Sequence, residues 1–206
     1  MLFFLTGRTF FLLYHFKPLR SYQLSEILLS YVYGLKLDIS FTSYISILPA
    51  AVLPILLVFN ARERIIRLFL QYYTGLWIVL LALLFTIDAE LFSFWGFRLD
   101  NTIFRYNGTP AESVGSALSS PLWLLFPVLF IYIYLAFRVY KKYISPLTFS
   151  ALKVYWLPVT LFMAALFVIP IRGGLQQIPI NESVSYYSRH AFLNQAALNP
   201  AWTLAR

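Results

Sequence analysis

Residues 68–87 read LFLQYYTGLWIVLLALLFTI, a run of twenty positions without Asp, Glu, Lys, Arg or His. A helix needs about 20 mostly apolar residues to cross the roughly 30 Å of hydrocarbon in a bilayer. Three further windows, at residues 39–59, 121–137 and 154–171, are equally free of charge and reach or approach that length. The sequence therefore predicts an all-α, polytopic membrane protein.

Composition supports the same class. Of the 206 residues, 60% are hydrophobic, 12% are charged and 19% are aromatic, whereas about 25% of residues in an average soluble domain are charged. So little charge cannot cover a soluble surface without leaving large apolar patches. The net charge of +8 contains no run of five basic residues, which excludes a nucleic-acid-binding tail.

Residues 1–16 form a fifth apolar segment, which would extend only about 24 Å as a helix. Arg8 lies halfway along it and would cost about 2.5–3.5 kcal/mol at the centre of an isolated membrane helix. We interpret the segment as the last part of a first span whose beginning is missing, with Arg8 snorkelling or facing a neighbour. Residues 1–171 then form a five-span transmembrane domain, and 172–206 an extracytoplasmic juxtamembrane segment.

Basic residues predict the orientation. The loops 60–67 and 138–153 carry seven basic residues, whereas the loop 88–120 carries two basic and four acidic residues. Short cytoplasmic loops are enriched in Lys and Arg. We therefore expect both basic loops and the N-terminus in the cytoplasm, and the C-terminus outside.

Two segments between the spans have a helical apolar stripe. In residues 17–38 the stripe comprises Leu24, Ile27, Leu28, Tyr31 and Leu35. In residues 88–105 it comprises Leu91, Trp95, Leu99 and Ile103. Such stripes are typical of helices that lie in the membrane interface, so we expect two amphipathic helices on the outer face.

The acidic residues near these segments have two interpretations. Asp88, Glu90 and Asp100 form a loose cluster near Arg98 and Arg105. We favour ion pairs at headgroup level that fix the loop over a cation site, and we interpret Asp38 as a helix-end charge at the interface. The candidate interface or lipid-headgroup contacts are Asp38, Asp88, Glu90, Trp95, Arg98, Asp100 and Arg172.

Signatures of catalysis, cofactor binding and metal binding are lacking. The chain has no cysteine, no G-x-S-x-G and no P-loop, and its two histidines, His15 and His190, are far apart and have no second ligand at metal-binding spacing. Four spans free of ionisable groups also argue against an ion-coupled transporter. We predict no catalytic, cofactor-binding or metal-binding residue in this chain.

Four stretches have a recognisable order. They are LSYVYGLKLDIS at 29–40, DAELFSFWGFRLDNT at 88–102, RGGLQQIPINESVSYYS at 172–188 and FLNQAALNPAWTL at 192–204. Together they resemble the membrane domain of the lipoteichoic-acid-synthase-like sulfatase family of the alkaline phosphatase superfamily, in its Bacteroidota version. The resemblance covers nearly the whole chain.

The resemblance implies five transmembrane helices in a bacterial cytoplasmic membrane, followed by an extracytoplasmic catalytic domain. That domain would use a nucleophile and a divalent metal, manganese or magnesium, on phosphate or sulfate esters, as in phosphoglycerol transfer. The sequence stops at Arg206, where that domain is expected to begin. The expected partners are the bilayer, an anionic phospholipid and the catalytic domain, and the expected role is that of a membrane anchor that presents a lipid substrate. The alternatives are a free-standing scaffold or assembly protein and, less favoured, a transporter.

Eleven large apolar or aromatic residues lie between 173 and 206, far more than a disordered linker contains. We therefore expect this segment to pack against residues 17–38 and 88–105. We also expect a short helix from residue 189 to about 198, capped by Ser188 and ended at Asn199 by the following Pro200.

Overall fold

A computed structural model describes residues 1–102 and 120–206. In these ranges the chain is α-helical and contains no strand. The helices are α1 (Leu2–Tyr14), α2 (Phe16–Leu19), α3 (Leu24–Val58), α4 (Glu63–Trp95), α5 (Leu122–Tyr143), α6 (Leu157–Ala165), α7 (Val168–Arg172), α8 (Ala191–Ala197) and α9 (Pro200–Leu204). Short 3-10 turns at Val154–Trp156 and Glu182–Ser185 precede α6 and α8.

Four stretches are long and apolar enough to cross a membrane: Leu24–Val58, Glu63–Trp95, Leu122–Tyr143 and Val154–Arg172. Each matches one of the four charge-free windows to within one residue at the window's ends or contains it, so the prediction of an all-α membrane protein is confirmed. Helix α1 has only 13 residues, and its interpretation as the end of a truncated span stays a prediction.

Helix α3 is longer than a span requires. Its 35 residues would extend about 52 Å at about 1.5 Å per residue. A capping box between Gln23 and Glu26 begins the helix, which continues to Val58. The prediction of a separate surface helix at 17–38 is therefore wrong from residue 24 onward. Part of its apolar stripe packs against protein instead: Ile27 and Tyr31 lie next to the buried Phe11 cluster, whereas Leu24 and Leu28 stay exposed.

Helix α4 likewise extends past its predicted window. It ends at Trp95, and Gly96 follows in the left-handed conformation with φ 71°. Residues 88–95 are therefore the last two turns of α4 rather than part of a separate surface helix. Ile103, Arg105 and the rest of the 103–119 segment lie outside the described residues.

The core lies where α1, α3 and α4 meet the C-terminal residues. Phe4, Leu37 and Phe85 are buried there together with Trp202. Helices α1 and α4 approach closely because Gly7 has no side chain, and a Cβ at that position would be 2.6 Å from the Phe85 ring. By contrast α5 exposes large apolar side chains such as Trp123 and Phe130, as expected of a surface that faces lipid.

The two basic loops contact each other. Arg67 donates hydrogen bonds to the carbonyl oxygens of Ser145 at 2.5 Å and Leu147 at 3.1 Å, and the Leu152 amide donates to the Leu57 carbonyl at 3.3 Å. We call this region, residues 57–67 and 138–153, the basic end. Both loops thus lie at one end of the helices, as the predicted alternation of spans requires.

Candidate functional site

At the opposite end, the C-terminal residues are bonded to the spans. Asn199 Nδ2 donates to Asp38 Oδ1 at 2.9 Å, and Trp202 Nε1 donates to Ser40 Oγ at 3.1 Å. Thr203 Oγ1 donates to the Leu99 carbonyl at 2.6 Å. We call the assembly of residues 8, 34–40, 88–99 and 195–203 the docked end. The prediction that the C-terminal segment packs against 17–38 is confirmed, and so is its packing against 88–102, the described part of 88–105.

Arg8 and Asp38 form the centre of the docked end. Arg8 Nη1 and Nη2 donate to the two carboxylate oxygens of Asp38 at 2.9 and 3.1 Å, and the side chains are only 2% and 1% exposed. Arg8 Nε and Nη2 also donate to the carbonyls of Ala196 and Ala197 at 3.0 and 3.1 Å. One guanidinium therefore joins α1, α3 and α8. Of the two alternatives expected for Arg8, snorkelling or facing a neighbour, the structure shows that it faces a neighbouring helix.

Gly34 makes the space for this guanidinium. A Cβ at Gly34 would overlap the Arg8 side chain and lie 2.6 Å from the Ala197 carbonyl oxygen. Gly normally disfavours a helix interior by about 0.5–1 kcal/mol relative to Ala. Its place in α3, one turn before Asp38, is explained by this close approach.

A second buried ion pair joins the end of α4 to the residues that follow it. Arg98 Nε is 2.8 Å from Asp88 Oδ2, with side chains 3% and 1% exposed, and the Leu99 amide donates to Asp88 Oδ1 at 2.8 Å. The Arg98 guanidinium also lies 4.0 Å from the centroid of the Phe11 ring. Burial lowers the pKa of Arg98, and the adjacent Asp88 carboxylate opposes that change.

The C-terminal segment contacts this ion pair through Gln195. The Arg98 amide donates to Gln195 Oε1 at 3.0 Å. Farther along, the Tyr187 hydroxyl donates to the Glu26 carbonyl at 2.6 Å. Burial, with a smaller contribution from the charge of Glu26, raises the pKa of Tyr187 to about 12, so this hydroxyl remains a donor at physiological pH.

Four of the seven candidate interface residues are inside the protein instead. Asp38 is not a helix-end charge: it is fully buried and lies in the second quarter of α3. Asp88 and Arg98 are paired as described, and Glu90 accepts a hydrogen bond from the Tyr14 hydroxyl. The ion pair between Asp88 and Arg98 does fix the loop, and it is buried in the protein rather than exposed to its surroundings. Burying a charge is tolerable only with a partner, and each of these four has one.

The other three candidates remain accessible. Arg172 is exposed and donates to the Gln177 carbonyl at 3.3 Å. Trp95 is half-buried and stacks on Phe97. Asp100 is half-buried and accepts from the Thr102 amide at 2.9 Å. Headgroup contact by these three residues stays a prediction. As for a cation site, the described residues contain no group of three or more His, Cys, Asp or Glu that could hold a metal ion.

The local structure of the C-terminal segment differs from its prediction. Helix α8 spans Ala191–Ala197, and Ser188 Oγ accepts from the His190 amide without capping it. Asn199 does not simply follow a helix end: its side chain accepts from the Ala201 and Trp202 amides and caps α9, which has Pro200 in its first turn. Proline favours the first turn of a helix, so Pro200 begins a helix as well as ending the previous one.

Three of the four stretches that carry the family resemblance meet at the docked end. Gly34 and Asp38 come from the first stretch, Asp88 and Arg98 from the second and Asn199 from the last. The third passes close by, where Ile180 packs in the buried cluster that contains Leu37 and Trp202. Comparison with protein-family models, curated proteins and solved structures gave no match.

The polar groups of the docked end bond to one another and hold the fold together. Asp38 accepts hydrogen bonds from Arg8 and Asn199, so both of its carboxylate oxygens are bonded to side chains of the protein itself. A general base needs an accessible proton donor within hydrogen-bond reach, and the carboxylates of Asp38 and Asp88 are enclosed by protein. The arrangement holds the C-terminal segment in one position above the spans.

Proposed function

We propose that this chain is the membrane-anchoring domain of a sulfatase-like phosphoglycerol transferase, phosphatase or sulfatase that acts at the bacterial cell envelope. In this proposal it lies in the cytoplasmic membrane with the basic end inside and the docked end outside. Residues 1–171 anchor the protein, and residues 172–206 set the position of the catalytic domain that follows. The divalent metal and the nucleophile belong to that domain.

The observation that carries the proposal is the bonding of Asp38 to both Arg8 and Asn199. A flexible tether would suffice to keep an enzyme near a membrane. A buried, fully paired network costs desolvation energy and is useful where geometry must be unique. An enzyme that attacks a lipid headgroup needs such a geometry, because its active site must stay at the height of the headgroup.

The nucleotide sequence of the gene provides the first test of the proposal. We expect the reading frame to continue beyond the codon for Arg206 into a metal-binding domain of the alkaline phosphatase superfamily. A stop codon at that position would instead favour a free-standing scaffold.

Activity tests the role of the docked end. In membranes that contain the whole enzyme, Asp38→Asn should lower turnover of a lipid phosphoester while hydrolysis of a small soluble ester is retained. Glu63→Gln, at the basic end, should change neither. Equal loss on both substrates would show that the network does not position the catalytic domain relative to lipid.

A transporter is a weaker proposal. Transport sites use ionisable groups that face a cavity or a pathway within the spans. Asp38, Asp88 and Glu90, which lie within α3 and α4, all bond to protein groups. Glu90 also lines a cavity between α4 and α5 whose other lining residues are uncharged, so a coupled carrier would rest on this one residue.

A further inference from the structure

A cleft of about 840 Å³ lies between the spans and the C-terminal segment. Phe41 of α3, Trp77 of α4 and Trp202 of α9 form its apolar walls, and Arg172 and Arg206 line its polar side. Ligand sites in proteins commonly enclose about 300–1,000 Å³, so the cleft has the volume of a ligand site.

The position of the cleft relative to the membrane follows from its walls. Phe41 and Trp77 belong to the charge-free windows 39–59 and 68–87. Tyr44, on the same wall, is 53% exposed, so the wall is open to the surroundings of the spans. Arg172 is the last residue of the fourth span, Val154–Arg172. The cleft therefore extends from hydrocarbon depth to the level where headgroups begin.

The charge of the cleft is positive. Two arginines line it, and none of its lining residues, all of which are described, is acidic. Glu182 is close enough to be affected by the charge of Arg206, but it does not line the cleft. An accessible cationic rim above an apolar wall matches the two halves of an anionic phospholipid.

Both arginines are held in place and keep donors free. Arg206 Nη1 donates to the Ile180 carbonyl at 2.6 Å, and its guanidinium lies 5.0 Å from the centroid of the Trp202 ring. Arg172 uses Nη2 for the Gln177 carbonyl. A guanidinium has five N–H donors, and those not used here can meet phosphate oxygens in charge-assisted hydrogen bonds.

We propose that this cleft binds one phospholipid with a net negative headgroup as a resident lipid. The phosphate lies between Arg172 and Arg206, and an acyl chain lies along Phe41 and Trp77. Because the walls come from two spans and from α9, the lipid joins the C-terminal segment to the spans, as Arg8 and Asp38 also do. This inference is independent of any catalytic domain that follows Arg206.

Native mass spectrometry of the purified chain tests the proposal. The protein is extracted from vesicles of equimolar phosphatidylglycerol and phosphatidylcholine, and the retained lipids are counted. The wild type should retain one phosphatidylglycerol in preference to phosphatidylcholine. The double variant R172Q/R206Q should lose about tenfold in this preference, because both lipids carry a phosphate and only the net charge of the headgroup, which the two arginines attract or repel, distinguishes them.

The matched control is R62Q/R64Q, which removes the same charge from exposed positions at the basic end and should keep the preference. R172K/R206K, which retains the charge, should keep part of it and shows whether a loss in R172Q/R206Q comes from misfolding. Equal retention of both lipids by the wild type, or an equal loss in both glutamine pairs, would overturn the proposal. Displacement of the lipid by glycerol phosphate at millimolar concentration would also overturn it, since the site would then bind only the phosphate.

Discussion

Each end of the helices has an ion pair between an arginine and a carboxylate, and the two pairs differ in how much solvent reaches them. At the basic end Arg67 meets Glu63 one turn away at 2.5 Å, with side chains 40% and 53% exposed. At the docked end Arg8 meets Asp38 from another helix at 2.9 Å, with side chains almost completely buried. Exposed pairs contribute about 0–1 kcal/mol, whereas breaking a buried pair costs about 3–5 kcal/mol. Burial, rather than distance, decides which pair holds the fold together.

The largest expected effect is that of Asp38→Asn. The substitution leaves Arg8 buried without its counter-charge, so we expect the free energy of unfolding in micelles to fall by about 3–5 kcal/mol. Glu63→Gln removes a carboxylate of the exposed pair and should change it by less than about 1 kcal/mol. Similar losses in both variants would contradict the contrast between the two ends.

Gly34→Ala should have the next largest effect. The added methyl overlaps Arg8 and approaches the Ala197 carbonyl, so we expect a loss of about 1–3 kcal/mol from overpacking. Gly75→Ala is the matched control in α4, since its Cβ would be an ordinary 3.5 Å from Phe137. It should be neutral or stabilise by about 0.5–1 kcal/mol. A neutral result at Gly34 would mean that α3 and the C-terminal segment are not in close contact.

Asn199→Ala should cost about 0.5–2 kcal/mol, because it removes the cap of α9 together with the hydrogen bond to Asp38. Asn181 is exposed, and Asn181→Ala removes a similar cap from the turn Glu182–Ser185 without breaking a contact to Asp38, so it should cost less. Thermal unfolding of both variants measures the difference. A larger loss at Asn181 would contradict the importance of the docked end.

The smallest effect on stability belongs to single cysteines that test orientation. The chain has no native cysteine, and Ser145 at the basic end and Leu175 after α7 are both exposed. On intact cells an impermeant maleimide should label Leu175→Cys and not Ser145→Cys, because short loops rich in Lys and Arg stay in the cytoplasm. The reverse pattern would invert the predicted orientation. Ser116, in the loop predicted to be outside, is beyond the described residues.

Composition and charge predicted the parts of the fold that depend on the bilayer. The four windows follow from hydrophobicity alone, and the packed C-terminal segment follows from its aromatic content. The lengths of α3 and α4 could not be predicted, because an apolar stripe that faces a protein neighbour has the same spacing as one that faces lipid. The contacts within the core explain why residues 24–38 and 88–95 continue the spans.

The pairing of Arg8 with Asp38 could not be predicted from the sequence because thirty residues separate them and no periodicity connects them. A usable signal was present: one arginine in an apolar helix and one acidic residue at the start of the next span. Ionisable residues within membrane segments usually have a partner. For Asn199 the signal is the Asn-Pro pair, which predicts the end of one helix and equally fits the beginning of the next, α9.

Hydrogen exchange of residues 193–203 in lipid nanodiscs tests most directly whether the C-terminal segment is docked through buried charges. In the wild type these amides should exchange far more slowly than those of the exposed residues 175–178, and Asp38→Asn should remove that protection while Glu63→Gln retains it. Equally fast exchange of residues 193–203 and 175–178 in the wild type would contradict the docking.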